Sequence, residues 1–155
     1  MPAGRFALVP AAYVLLLRRG EAEDEVLLQQ RQHTGFMDGH WAASAAGHVE
    51  FGEPCTAAAT REAREELGVV LAEGDLRPLC AVHRYQQTDR PVDQRVDFFF
   101  ACRRWHGEPG LQEHKASALR WYGLSTLPEP VVPHELAVLE SLAAGSLPPV
   151  LAFGF

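Results

Sequence analysis

The chain is poor in the residues on which several familiar chemistries depend. Its three cysteines, Cys55, Cys80 and Cys102, form no CxxC pair. An odd, scattered set argues against a disulfide framework and suits free thiols in a reducing, cytoplasmic setting. Seven histidines show no HxxxH or HxH spacing, which makes a histidine-built zinc site an unlikely design. Positive charge is scarce, with 14 Lys and Arg against 20 Asp and Glu and a net charge of −6. A broad basic face for nucleic-acid phosphates is therefore not expected. An acidic protein that handles phosphates needs metal cations between itself and its ligand. Long apolar runs are missing too. The stretch FALVPAAYVLLL is shorter than the roughly 20 residues of a membrane span. Arg18, Arg19 and the acidic GEAEDE follow it at once, with no small-residue cleavage site, so a buried strand is expected rather than a span or signal peptide.

What is present fits one domain over residues 1–155, with 47% hydrophobic and 22% charged residues, near the soluble-globular average. No repeat or long linker divides it. Phe6 to Arg18 reads as a strand buried on both faces, and Val26 to Gln32 as a second strand. The loop TGFMDGH leads to a short strand at Trp41 to Ser44. Pro54 to Leu67 is helical, with Ala57, Ala58 and Ala59 propagating it and Gly68 placed to end it left-handed. Leu76 to Gln86 and Arg95 to Arg104 are further strands, joined by a polar turn at Thr88 to Pro91. A loop from Trp105 to Ser117 precedes a strand at Leu119 to Leu124. Pro128, Pro130 and Pro133 then break the chain before a helix from His134 to Ala144. Strands mixed with two helices predict an α/β layered fold.

Glu62, Glu65 and Glu66 stand at i, i+3 and i+4 and share one helix face within roughly 100° of arc. Each like-charge pair costs about 0.2–0.5 kcal/mol in an isolated helix, and the C-terminal end of the dipole disfavours anions. A bound Mg²⁺ or Mn²⁺ would remove both penalties. A solvated face with surface ion pairs such as Arg61 to Glu65 or Arg64 to Glu53 remains the alternative, and the spacing alone favours it.

The longer register changes the balance. GHVEFGEPCTAAATREAREELGV, Gly47 to Val69, matches GX5EX7REUXEEXGU at each defined position, with Ala63 and Val69 as the aliphatic U. The segment thereby resembles the Nudix box, and the chain resembles Nudix hydrolases of the MutT-like NTP pyrophosphohydrolase group; TGFMDGHW ahead of the box agrees. That resemblance implies an α/β/α sandwich around a mixed sheet and Mg²⁺- or Mn²⁺-dependent hydrolysis of a nucleoside diphosphate linked to another group. It implies Glu62, Glu65 and Glu66 as metal ligands with the Gly47 carbonyl, Arg61 as their orienting partner and Glu53 in support. One of these glutamates, or one outside the helix, would be the general base. Glu113, in the loop GEPGLQEHKAS, is where some members carry an additional metal or base glutamate; a solvated loop carboxylate is the alternative. Glu50 and Glu108 are weaker candidates. Arg31 could meet phosphate or make a surface ion pair. Phe36, Trp41 and Trp121 could stack on a base, although Trp121 suits the core better. The chain departs from many relatives in one place: Ser44-Ala45-Ala46-Gly47 stands where they read Leu-Pro-Gly-Gly, which bears on the geometry of the Gly47 carbonyl.

The expected activity is pyrophosphohydrolysis of a small-molecule nucleotide, a (d)NTP giving NMP and pyrophosphate. ADP-ribose or another sugar nucleotide or dinucleotide is the second expectation. A nucleotide-sensing module would usually carry a broken box, and this one is intact. An allylic diphosphate isomerase would want a catalytic cysteine, and nothing ties the three cysteines to that role. No nucleic-acid or membrane partner is expected, and a homodimer is left open.

Overall fold

The computed structural model describes residues 4–90 and 93–155. The strands are β1 (Val9–Arg19), β2 (Asp24–Arg31), β3 (Trp41–Ala42), β4 (Ala45–His48), β5 (Arg77–Tyr85), β6 (Gln94–Cys102), β7 (Ala116–Gly123) and β8 (Val150–Phe153). The helices are α1 (Cys55–Leu67) and α2 (Pro133–Ala143), with a single 3₁₀ turn at Glu73–Asp75. The path through the sheet runs β3-β2-β1-β6-β5-β8, with β4 paired to β1 and β7 to β2. The β1–β6 and β5–β8 pairs are parallel and the others antiparallel, so the sheet is mixed.

The apolar strand β1 is buried on both faces, and its alternation sorts the two layers. Ala12, Val14 and Leu16 join Ala58, Ala59, Ala63 and Leu67 of α1 in one core. Ala11, Tyr13, Leu15 and Leu17 face Val138 and Leu139 of α2 in the other. The result is the expected α/β/α sandwich. Ala58, Ala59 and Ala63 of α1 are wholly buried, and their small size lets the helix backbone approach the sheet. That close approach brings the glutamates of α1 against β4.

Several boundaries differ from expectation for local reasons. Pro54 is the N-cap in extended conformation, so α1 starts at Cys55; Pro133 opens α2 at its first position. Gly68 ends α1 at φ 72°, as expected. Asp24 and Glu25 belong to β2, where they lie across from Arg19 and Arg18, and shorten the acidic turn. The strand expected from Leu119 begins earlier, at Ala116, and shortens the preceding loop. β4 and β8 are strands that sequence reasoning missed. β4 is Ala-Ala-Gly-His, with no strand-forming residue, and owes its conformation to pairing with Ala11–Val14. Part of the turn expected at Thr88 to Pro91 lies outside the described residues, since Pro91 is not among them. Among the described residues no helix is long and apolar enough to cross a membrane.

Candidate active site

The site begins where β4 meets α1. Ala46 N–H donates to Glu66 Oε2 at 2.7 Å, tying the strand to the last helical turn. The next residue is glycine, and a Cβ there would stand 2.2 Å from Glu62 Cδ and Oε1, the movable end of that side chain. The Glu62 carboxylate thus lies directly on the Gly47 backbone. Gly47→Ala is expected to displace that carboxylate, to cost roughly 1–3 kcal/mol and to lower turnover at least tenfold. A thermal melt beside a steady-state assay checks it, and unchanged turnover would refute the close approach.

Arg61 gathers the carboxylates from behind. Its Nε and Nη2 donate to Glu53 Oε2 and Oε1 at 2.8 and 3.0 Å, a two-pronged pair. Nη2 also reaches the His48 carbonyl at 3.0 Å, while Nη1 contacts Glu62 Oε1 at 2.7 Å and Glu65 Oε2 at 3.4 Å. Glu53 in turn accepts the Glu50 N–H at 3.0 Å and so shapes the loop tip. The guanidinium beside Glu53 holds its carboxyl down at about 2. Glu65 is half-exposed at 49%, whereas Glu62 is 13% exposed.

Burial pushes the Glu66 carboxyl up to about 8; the Ala46 hydrogen bond opposes this, and the charges of Glu62 and Glu113 add to it. Glu62 is raised as well, chiefly by burial, against the pull of Arg61. Burial is thus what chiefly disfavours the charged form of this expected cluster. Glu113 belongs to it spatially. Gly110 and Gln112 donate their N–H groups to the carbonyls of Leu67 and Glu66, docking the 105–115 loop on the end of α1. Glu113 Oε2 faces Lys115 Nζ at 3.3 Å but receives no hydrogen bond, although the atom is buried.

The donor set fits a hard divalent cation: all its atoms are oxygens, positive charge is deficient, and one buried carboxylate oxygen lacks a hydrogen bond. Among the described residues no three such side chains already converge as a coordination cluster. Arg61 holds Glu62 and Glu65, and the Ala46 amide holds Glu66, so loading requires these side chains to turn.

A cleft of about 560 Å³ opens from this cluster. Gly47, Glu50 and Glu62 of the box line it together with Arg31, Arg84, Arg95 and Lys115, the carboxylates of Asp93 and Glu135, and Tyr13 and His134. Arg31 donates to the Phe36 carbonyl at 2.8 Å and to Thr34 Oγ1 at 3.0 Å, with its guanidinium 5.5 Å from the Phe36 ring centre. It serves the 34–36 loop, and among the described residues no carboxylate pairs with it. Phe36 lines the cleft and is partly exposed. Trp41 is buried against Tyr122, and Trp121 is sandwiched between Trp105 and Arg18 away from the cleft, so neither is placed to stack on a ligand there. Glu108 does not line the cleft either.

Sequence reasoning named Arg31 but missed Arg84, Arg95 and Lys115, and with them Tyr13, His134 and Glu135. Arg84 and Asp97 form a buried ion pair at 2.8 Å, and His134 Nε2 lies 3.2 Å from the Tyr13 hydroxyl. A signal existed: Arg84 follows Cys80 and Val82 at an inward strand position, and Asp97 is likewise buried in β6.

A family model described as the NUDIX domain matches residues 7–142. The MutT NUDIX hydrolase of Burkholderia pseudomallei is similar at 27% identity and TM-score 0.74, covering 86% of this chain and 97% of that one. The E. coli ORF135 protein is 24% identical with TM-score 0.70, covering 93% and 94% of the two chains. The NUDIX domain of Shewanella oneidensis NrtR, solved with ADP ribose, is 19% identical with TM-score 0.71, covering 94% and 92%. No curated protein matches the sequence. A phosphoanhydride hydrolase is the class that fold and box define. The chain belongs to the Nudix family.

Proposed function

We propose that the chain works as a single Nudix unit over residues 1–155 and cleaves the diphosphate linkage of a nucleoside di- or triphosphate derivative, converting a (d)NTP to NMP and pyrophosphate. The observation that carries this is one cleft lined both by box residues, Gly47, Glu50 and Glu62, and by the basic side chains of Arg31, Arg95 and Lys115. A polyanion needs both: cations to receive its outer oxygens, and carboxylates to present a metal to its bridging bond. Glu62, Glu65, Glu66 and the Gly47 carbonyl would hold Mg²⁺ or Mn²⁺. When bound, such an ion neutralises the pyrophosphate and lowers the pKa of a coordinated water.

The chain's own residues do the rest. Arg61, locked to Glu53, holds Glu62 and Glu65 beside the place to which they turn for the cation. Arg31, held against the 34–36 loop, keeps Phe36 at the cleft edge, where its ring can stack on a base. Water attacks phosphorus and the bridging P–O bond breaks. Glu113 Oε2, which no hydrogen bond occupies, accepts the water's proton. Glu113→Gln is then expected to lower kcat roughly 10²- to 10⁴-fold with little change in KM, measured by steady-state kinetics; a parent-like kcat would remove Glu113 as the base.

The test of function is a panel of nucleoside triphosphates, ADP-ribose and dinucleoside polyphosphates with Mg²⁺ or Mn²⁺, with the products identified. Nucleoside triphosphates are expected to turn over fastest, giving NMP and pyrophosphate. Preference for ADP-ribose, the ligand named for the NrtR domain, would move the assignment to sugar nucleotides. No turnover of any member would overturn it.

A further inference from the structure

Glu50 sits at the tip of the box loop, 69% exposed, and lines the cleft with Oε1 3.8 Å from Arg61 Nη1. Its backbone is held firmly. Glu50 N–H donates to Glu53 Oε1 at 3.0 Å, and the Glu53 N–H returns to the Glu50 carbonyl at 3.0 Å. The residue that grips Arg61 therefore also fixes where the Glu50 side chain starts.

Arg61 Nη1 carries two protons, yet three carboxylates face it: Glu62 at 2.7 Å, Glu65 at 3.4 Å and Glu50 at 3.8 Å. The first two are the proposed cation donors, so Arg61 and a cation compete for the same negative charge. Were Glu62 and Glu65 to turn away, Nη1 would be left short of anions inside a cleft. Glu50 is the acceptor in reserve. A shift of about 1 Å brings it to charge-assisted hydrogen-bond length, and an exposed side chain gives up little packing to make it.

We propose that Glu50 is a positioning residue that takes over Arg61 Nη1 as Glu62 and Glu65 turn to the divalent cation, easing cation loading. The proposal rests on the cation-site reading above.

Two variants separate this from a simple field effect. Glu50→Gln keeps the length without the charge; Glu50→Asp keeps the charge without the length. Mn²⁺ binding to the full chain is followed by loss of the free Mn²⁺ electron-spin signal, with a thermal melt of each metal-free protein alongside. Both variants are expected to weaken Mn²⁺ binding roughly three- to tenfold, with metal-free melting unchanged. Parent-like binding by Glu50→Asp would show that charge alone suffices and would overturn the proposal, as would parent-like binding by Glu50→Gln. A parent that binds no Mn²⁺ refutes the cation site itself, and the role of Glu50 falls with it; that failure shows in the parent and not in the variants.

Discussion

Glu66→Gln is expected to remove turnover almost entirely, by roughly 10²–10⁴-fold in kcat, while leaving the protein folded. The amide oxygen can still accept the Ala46 N–H that the Glu66 carboxylate accepts at 2.7 Å, so the link between α1 and β4 survives. What is lost is one anionic oxygen donor at the buried end of the cluster. Near-parental turnover with ordinary Mg²⁺ dependence would show that the metal site is assigned to the wrong residues.

The same substitution has a signature without metal. Burial raises the folded-state Glu66 carboxyl from 4.5 to about 8. Because the folded value lies above the unfolded one, its contribution to stability is fully present below 4.5 and is lost as pH rises through about 8. Metal-free parent should therefore lose more stability across that window than Glu66→Gln, in which the other raised carboxyls, Glu62 and Glu135, still titrate. The variant is expected to be the more stable at pH 8 by roughly 1–3 kcal/mol, or about 3–8 °C in melting temperature. Melting curves of both proteins in chelator at pH 5, 7 and 8.5 check it. Parallel pH profiles would contradict the raised carboxyl. By the same linkage, Mn²⁺ binding to the parent near pH 7 should release a proton that the variant does not release, visible calorimetrically in buffers of different ionisation enthalpy.

Arg61→Lys should be nearly as damaging despite keeping the charge. One guanidinium holds Glu53 with two prongs, Glu62 with a third nitrogen and the His48 carbonyl besides. An ammonium is a point donor and cannot span them. A fall in kcat of roughly 10–100-fold is expected, with a lower melting temperature besides. The stability loss has its own pH dependence. Arg61 holds the folded Glu53 carboxyl at about 2, below its usual 4.5, so that contribution is present above 4.5 and lost as pH falls through about 2. Parent and variant should melt furthest apart at neutral pH and converge in acid. Equal kcat in the two proteins would mean that Arg61 is a surface cation only.

Much of this site was legible in one dimension because it is built on one helix. Glu62, Glu65 and Glu66 share a face by the 3.6-residue period, and Arg61 reaches Glu53 across the box loop, within a single short segment. The glycine at position 47 could be read as a motif letter, but its reason is the Glu62 carboxylate lying where a Cβ would go. Glu113 was a loop carboxylate among others until Gly110 and Gln112 were found docked on the end of α1. Trp121 suits the core from the sequence already, whereas Phe36 and Trp41 are separated only by burial, which leaves Phe36 at the cleft and puts Trp41 in the packing.

By itself, then, the sequence determined the two helices, the strands β1, β2, β3, β5, β6 and β7, the layered α/β plan and the shared carboxylate face of α1, because each is a local consequence of periodicity, capping or spacing. Tertiary structure alone decided β4, the raised carboxyl of Glu66 and the meeting of Arg84, Arg95 and Lys115 with Arg31 in one cleft. β4 exists through pairing with β1, the Glu66 shift through burial, and the cleft through segments far apart in the chain. These forces act between residues distant in sequence, and the inward strand position of Arg84 is the one local trace they leave.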